Sequence, residues 1–165
     1  MKQRDRVAMT AQEAADFLAA GRKVQLATNG QDGFPHLVTM YYVMTGAQIT
    51  FWTYRRSQKA LNLDRDPRIS CLVEDGEEYF DLRGVLVQGV VRRIEDPQEI
   101  AAIGRQITAV VGTASTSTAS TGTAAEGPGA DALTQYVEHA ARKRWGYLVE
   151  PDRVISWDHS KLIGG

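Results

Sequence analysis

Apolar and polar positions change places along this chain with two different periods. Ile49, Phe51 and Thr53 alternate with Thr50, Trp52 and Tyr54, the period-2 signature of a strand. The same reading predicts strands over Lys23 to Asn29, Pro35 to Met44, Gln48 to Tyr54, Arg68 to Glu74 and Gly84 to Glu95. Turns rich in Gly, Asn and Asp separate them, as at Asn29-Gly30-Gln31-Asp32-Gly33 and Thr45-Gly46-Ala47. Gly89, inside the last of these strands, marks a bulge or a close approach. Helical signals lie between and around the strands. Thr10-Ala11-Gln12-Glu13 is a capping box that opens a helix from Ala11 to Ala20, stopped at Gly21, and we read it as a lid on one end of the fold. Asp96-Pro97 starts another, with Ile100, Ile103, Ile107 and Val110 on one face. A last helix fits Asp131 to Arg144, with Leu133, Tyr136, Val137 and Ala140 on one face and Arg142, Lys143 and Arg144 complementing its dipole. Trp145 to Val149 and Arg153 to Trp157 are expected to form a hairpin around Glu150-Pro151-Asp152. Short strands joined mostly by turns point to an antiparallel barrel or sandwich with peripheral helices.

Composition sharpens this picture in a few places. The 165 residues suit one domain, 1–165, and 43% hydrophobic with 24% charged residues is a globular balance. From Gly112 to Ala130 the chain is almost wholly Gly, Ala, Ser and Thr, so a flexible low-complexity insertion is expected there. A net charge of −1 argues against a general nucleic-acid binder. Cys71 is the only cysteine and sits in the apolar run Ile69-Ser70-Cys71-Leu72-Val73, which makes it a buried structural thiol. His36, His139 and His159 show no metal-ligand spacing, so no metal site is expected. The residues that follow Met1 lack the apolar run of a signal peptide, and no stretch approaches membrane-spanning length; a cytoplasmic protein is the expectation.

The chemistry concentrates where one strand runs into a short helix, between Phe51 and Arg68. Ser57 suits a helix N-cap and Asp66-Pro67 stops the helix. A helix N-terminus has unpaired N–H groups and a partial positive charge. Ser57, Lys59, Arg55 and Arg56 added there make a phosphate seat, and a phosphate-bearing cofactor is the natural occupant.

Three segments in this order and spacing carry a resemblance: Asp32-Gly33-Phe34-Pro35-His36-Leu37-Val38-Thr39; Ser57-Gln58-Lys59-Ala60 followed by Asp66-Pro67-Arg68-Ile69-Ser70; and Val85-Leu86-Val87-Gln88-Gly89-Val90. Over residues 10 to 158 the chain resembles the flavin- and deazaflavin-binding split β-barrel superfamily that includes pyridoxamine 5′-phosphate oxidase. The resemblance implies a mainly β fold with peripheral helices, a split β-barrel of six to seven antiparallel strands. It also implies a homodimer with a cofactor groove between subunits, and FMN or the deazaflavin coenzyme F-420 as cofactor. Carried over by position, Lys59 and Ser57 hold the cofactor phosphate, and Val38, Thr39 and Met40 lie beside its ring system. Trp52 and Tyr54 flank the phosphate or ribityl chain, and Gln88 is a further pocket residue. The C-terminal Asp158-His159-Ser160-Lys161 differs from the Arg-x-His substrate motif of the oxidases, with His159 a candidate to reach a partner's groove. The short build and the paired Arg55-Arg56 resemble more closely the actinobacterial F-420-dependent oxidoreductases. The implied activity is hydride transfer between F-420 and a small conjugated organic substrate, for instance a tetrapyrrole such as biliverdin, with no nucleic-acid or membrane partner. The alternatives are an FMN-dependent pyridoxamine 5′-phosphate oxidase-like enzyme, or a non-catalytic flavin, deazaflavin or haem binding protein. Solvent, Tyr41 or Tyr42 is expected to deliver the proton.

Overall fold

The computed structural model describes residues 3–115 and 130–163. Seven strands form one antiparallel sheet in the order β2-β1-β5-β6-β7-β4-β3. In chain order they are β1 (Lys23–Asn29), β2 (Pro35–Tyr41), β3 (Val43–Thr45), β4 (Gln48–Tyr54), β5 (Arg68–Asp75), β6 (Arg83–Ile94) and β7 (Arg144–Asp158). The two outermost strands, β2 and β3, are consecutive in the chain and separated only by Tyr42. The sheet therefore curls back on itself and is joined through the covalent chain. The single strand expected over Pro35 to Met44 is thus two strands that serve opposite edges. Tyr42 makes the break: its N–H donates to the Arg22 carbonyl at 3.2 Å and its hydroxyl to the Leu18 carbonyl.

Inward-facing residues from strands far apart in the sheet meet in one core. Val24 and Leu26 of β1, Ile49 and Phe51 of β4, Cys71 of β5, Val85 of β6 and Tyr147 of β7 belong to the same buried cluster. Such a cluster requires a barrel, because β1 and β4 are separated by three strands along the sheet. Two helices contribute to this core. Helix α2 (Ala11–Ala20) adds Ala14 and Leu18, and helix α3 (Gln58–Arg65) adds Ala60 and Leu63. The capping box of α2 is present as read from its sequence, with Thr10 and Glu13 bonding each other's backbone. A short helix, α1 (Gln3–Val7), precedes it.

A second cluster lies on the outer face of β4 and β7, where Trp52 and Leu148 meet Ile100, Ile103 and Ile107 of α4 (Pro97–Ser115) and Val137 of α5 (Ala130–Ala141). Gly104 brings α4 against the Trp52 ring; a Cβ there would fall 2.5 Å from it. Helix α4 runs to Ser115, into the segment expected as a loop, and the rest of that segment lies outside the described residues.

Two further expectations are corrected. The hairpin around Glu150-Pro151-Asp152 does not form, because both of its arms belong to β7 and pair in succession with β6. Gln88 faces Arg153 and Gly89 faces Pro151, so Asp152 is an extra residue, a bulge. Proline, which has no N–H for a ladder, is tolerated at such a position. Gly89 is the close approach that the sequence marked, since a Cβ there would collide with the Glu150 carbonyl oxygen. The last helix also ends earlier, at Ala141, and Arg144 opens β7. Arg144 is buried, donates to the Ala140 carbonyl at 3.2 Å, and stacks over Trp52 and Tyr54.

Candidate functional site

The site is built where β4 ends and α3 begins. Phe51 and Thr53 share the inward face of β4, and Thr53 is buried one residue before the strand ends. A tight turn follows, closed by the Ser57 N–H on the Tyr54 carbonyl at 3.0 Å. Ser57 then caps α3, its hydroxyl accepting from the Ala60 N–H at 3.4 Å. The Thr53 and Ser57 hydroxyls lie 3.1 Å apart, and the Lys59 ammonium donates to Thr53 Oγ1 at 3.2 Å. Two hydroxyls, one ammonium and the first turn of a helix thus converge from the short stretch between Thr53 and Lys59.

Lys59 is half-buried, and desolvation pushes its pKa below the ordinary lysine value. Among the described residues no carboxylate lies within ion-pair distance of it. A half-buried cation with only a neutral partner is electrostatically incomplete, and an anion supplies what is missing. The residues present therefore fit a phosphate group. Thr53 is read in the sequence only as a strand position and not as a site residue; its parity with Phe51 and its spacing from Ser57 are the available signals.

The open edge of β2 is the second element of the site. Strand β2 pairs with β1 along its whole length but has no partner on its other side. Strand β3 pairs with β4 only from Val43↔Thr50 to Thr45↔Gln48, so the ladder stops before the half of β4 that leads to Thr53. In an antiparallel strand, alternate residues turn their N–H and C=O outward, and along this edge no strand takes them. Val38 and Met40 pack inward against the barrel core, which leaves their backbone as the part available to a ligand. Thr39 is exposed on the outer face, in register with Gln25.

The remaining candidates are scattered. Arg55 stacks on the Trp145 ring, 3.8 Å from its centroid, and donates to the Arg144 carbonyl, while Arg56 is exposed. Trp52 lies in the outer cluster beneath α4, and Tyr54 is exposed under the Arg144 guanidinium. Gln88 sits on the outer face of the sheet and donates to Ser70 Oγ at 3.2 Å. His159 is tied locally, Nδ1 to the Tyr79 carbonyl at 2.8 Å. Of the two tyrosines considered as proton donors, Tyr42 is 1% exposed and its hydroxyl is committed to Leu18, so only Tyr41 reaches the surface. Cys71 is buried as expected and its thiol is pushed up to about 12 by burial. Among the described residues no cluster of potential metal ligands is found, and no helix is long and apolar enough to cross a membrane.

Comparison with known proteins agrees with this geometry. The family model described as pyridoxamine 5′-phosphate oxidase matches residues 10–145. No curated protein matches the chain. Among solved structures, the conserved hypothetical protein Rv2991 from Mycobacterium tuberculosis is 38% identical, with a TM-score of 0.80, over 98% of this chain and 92% of that one. A structure described as an F420 reductase has 20% identity and a TM-score of 0.61, over 88% of this chain and 98% of its own. A FAD-binding protein from Mesorhizobium loti has 19% identity and a TM-score of 0.62, over 90% and 94% of the two chains. The last two likenesses speak to fold alone. With its curled antiparallel sheet, its capped α3 and a family match over most of its length, the chain belongs to the pyridoxamine 5′-phosphate oxidase-like split barrel family.

Proposed function

We propose that this protein is an oxidoreductase that uses coenzyme F-420, acting as a homodimer on a small conjugated organic substrate. The observation that carries the proposal is the uncompensated ammonium of Lys59 beside the Ser57 cap. When bound, the deazaflavin supplies hydride transfer. The chain's part is to bind and orient. Lys59, Ser57 and Thr53 hold the phosphate, and the open backbone edge of β2 offers hydrogen bonds to the ring. Arg56 is exposed beside the seat and has no carboxylate partner among the described residues. This surplus of positive charge suits F-420, with its phosphodiester and acidic tail, better than FMN. A structural neighbour described as an F420 reductase is in line with it.

The homodimer rests on the outer face of β2, β1, β5 and β6. Leu37 is 65% exposed there, and one step along the same face Leu72, Leu86 and Ile155 lie in register with Gln25 and Thr39. Gln25 Oε1, on the same face, is buried without a hydrogen-bond partner, a deficit that a second subunit can correct. FMN is the second reading, because the seat at Ser57 and Lys59 is equally suited to a phosphate monoester. Titration of the purified protein with F-420 and with FMN, followed by tryptophan fluorescence, separates the two. F-420 should bind more tightly, and Lys59→Ala should weaken it. Preference for FMN overturns the deazaflavin assignment, and binding of neither overturns the cofactor assignment. Tight binding without turnover of any acceptor would make the protein a carrier.

A further inference from the structure

A cleft of about 710 Å³ opens at the end of the barrel opposite the phosphate seat. The seat lies between the end of β4 and the start of β5, whereas the cleft is lined by the start of β1, the end of β5, the start of β6 and the end of β7. Helix α2 forms its other side. The helix sets out from β7, where the Met9 N–H donates to Ser156 Oγ at 3.1 Å, and runs into β1 through Gly21. It therefore crosses the strand ends. Its ten residues, rising about 1.5 Å each, match the three strand spacings of about 4.8 Å that separate β7 from β1. Glu13, Asp16, Phe17 and Ala20 recur at the three- and four-residue spacing of one helix face, and all four line the cleft.

Charge is unevenly placed along this cleft. In the middle, Arg83 pairs with Asp75 at 2.7 Å and its guanidinium lies over the Phe17 ring, 5.6 Å from the centroid, so its charge is met. Phe17, Val73 and Met9 make an apolar floor there. Towards β7 the carboxylates exceed the cations. Glu13 is paired with Lys161, but Asp16 and Asp158 have no cation within ion-pair distance among the described residues. Asp158 Oδ1 accepts from the Ser160 N–H and hydroxyl, and Asp16 Oδ1 accepts from the Gln12 amide, which leaves the second oxygen of each free. Towards β1 the cations exceed the carboxylates. Glu74 stands against both Arg22 and Lys23, and neither cation has a carboxylate within ion-pair distance among the described residues. The Lys23 ammonium lies over the Tyr41 ring, 5.8 Å from its centroid, and the Arg22 guanidinium is left uncommitted.

An excess of negative charge at one end, positive charge at the other and an apolar floor between them suit a molecule with the converse arrangement. We propose that this cleft binds a short dipolar ligand of tripeptide length. Its ammonium lies between Asp16 and Asp158, its carboxylate at Arg22, and its apolar middle over Phe17 and Val73. An extended chain spans about 3.4 Å per residue, so three residues set the two charges about 10 Å apart, short enough for side chains to reach in from β7 and from β1. The site is separate from the Lys59 seat and does not rest on the cofactor reading. Calorimetric titration with alanyl-leucyl-alanine, its N-acetylated form and its C-amidated form tests it, with thermal unfolding of each variant as the check on folding. The free tripeptide should bind, and each blocked form should bind about three- to tenfold more weakly. Asp16→Asn and Arg22→Gln alter exposed side chains, so both should fold as wild type does. Asp16→Asn should weaken the free tripeptide but not the N-acetylated form, and Arg22→Gln the free tripeptide but not the C-amidated form. Lys59→Ala should leave all three affinities unchanged. Failure of the free tripeptide to bind overturns the site. Equal binding of free and blocked forms overturns the charge pairing, and a loss caused by only one of the two blocks overturns the dipolar assignment.

Discussion

At the scale of single residues, Lys59 is the side chain whose environment most needs explaining. Its ammonium is half withdrawn from water and meets only a threonine hydroxyl. Charge-assisted hydrogen bonds to an anion are worth roughly 1.5–3 kcal/mol, so Lys59→Ala should cost about tenfold to a hundredfold in cofactor affinity. The depressed pKa gives a sign to the pH dependence. As pH rises through it, the folded protein loses a proton that the unfolded chain keeps until the ordinary 10.5. Stability of the ligand-free protein therefore gains from this group as pH rises, while cofactor affinity falls. Alkaline titration with paired binding and unfolding measurements checks both directions; parallel changes would contradict the assignment. Cys71 is the opposite case, a group kept from reacting. Buried in the barrel and with its thiol pushed up to about 12, it should not react with a thiol reagent in the native state at neutral pH. Stoichiometric labelling without unfolding would contradict its place in the core.

At the scale of elements, α2 and β7 show how local signals and tertiary pairing share the work. The capping box of α2 also holds the tail: Glu13 bonds the Thr10 backbone and pairs with Lys161 at 2.7 Å. The Lys161 ammonium and the Thr10 N–H lower its pKa from the ordinary 4.5 to about 2. A depressed carboxyl contributes stability above its unfolded pKa and loses it as pH falls through the folded one. Docking of the C-terminal turn (His159–Leu162) should therefore weaken between pH 4.5 and about 2, and Glu13→Gln should remove that dependence. Hydrogen exchange in the tail reads it. Strand β7 depends on Gly89, whose lack of a Cβ lets β6 approach the bulge at Asp152. Gly89→Val should destabilise by about 2 kcal/mol through overpacking, and for a chain of this size that is roughly a 4–8 °C lower melting temperature.

At the scale of the whole molecule, the outer face of β2, β1, β5 and β6 carries partly exposed apolar side chains, and the proposed dimer uses that face. Leu37→Glu places a charge on the β2 side of it without touching the buried core. The variant should remain folded by circular dichroism but run as a monomer in light scattering, with cofactor affinity reduced. A dimer of unchanged strength would move the interface elsewhere. The α4–α5 pair is the other large-scale feature, a second core laid on the outer wall of β4 and β7 rather than on the site. It holds the ring of Trp52, a residue that the family resemblance sets beside the cofactor.

What the sequence determined by itself was everything governed by neighbours along the chain. The strands Lys23–Asn29 and Gln48–Tyr54, the capping boxes and N-caps at Thr10 and Ser57, and the burial of Cys71 all follow from local periodicity and local hydrogen bonding. The α3 seat was legible for the same reason, since Ser57 and Lys59 are separated by one residue. What only the tertiary structure decided was everything that depends on which surfaces meet. Period-2 alternation says that Trp52 and Thr53 face opposite ways, but not which side is the barrel interior and which lies under α4. The chain near Glu150-Pro151-Asp152 carries turn residues, yet its twelve-residue partner β6 holds it extended through a bulge. Arg55 and Arg144 look alike in sequence as cations near a helix end, and only the fold sets them against Trp145 and Trp52. Such outcomes depend on pairing and burial between segments distant in sequence, and no local pattern encodes them.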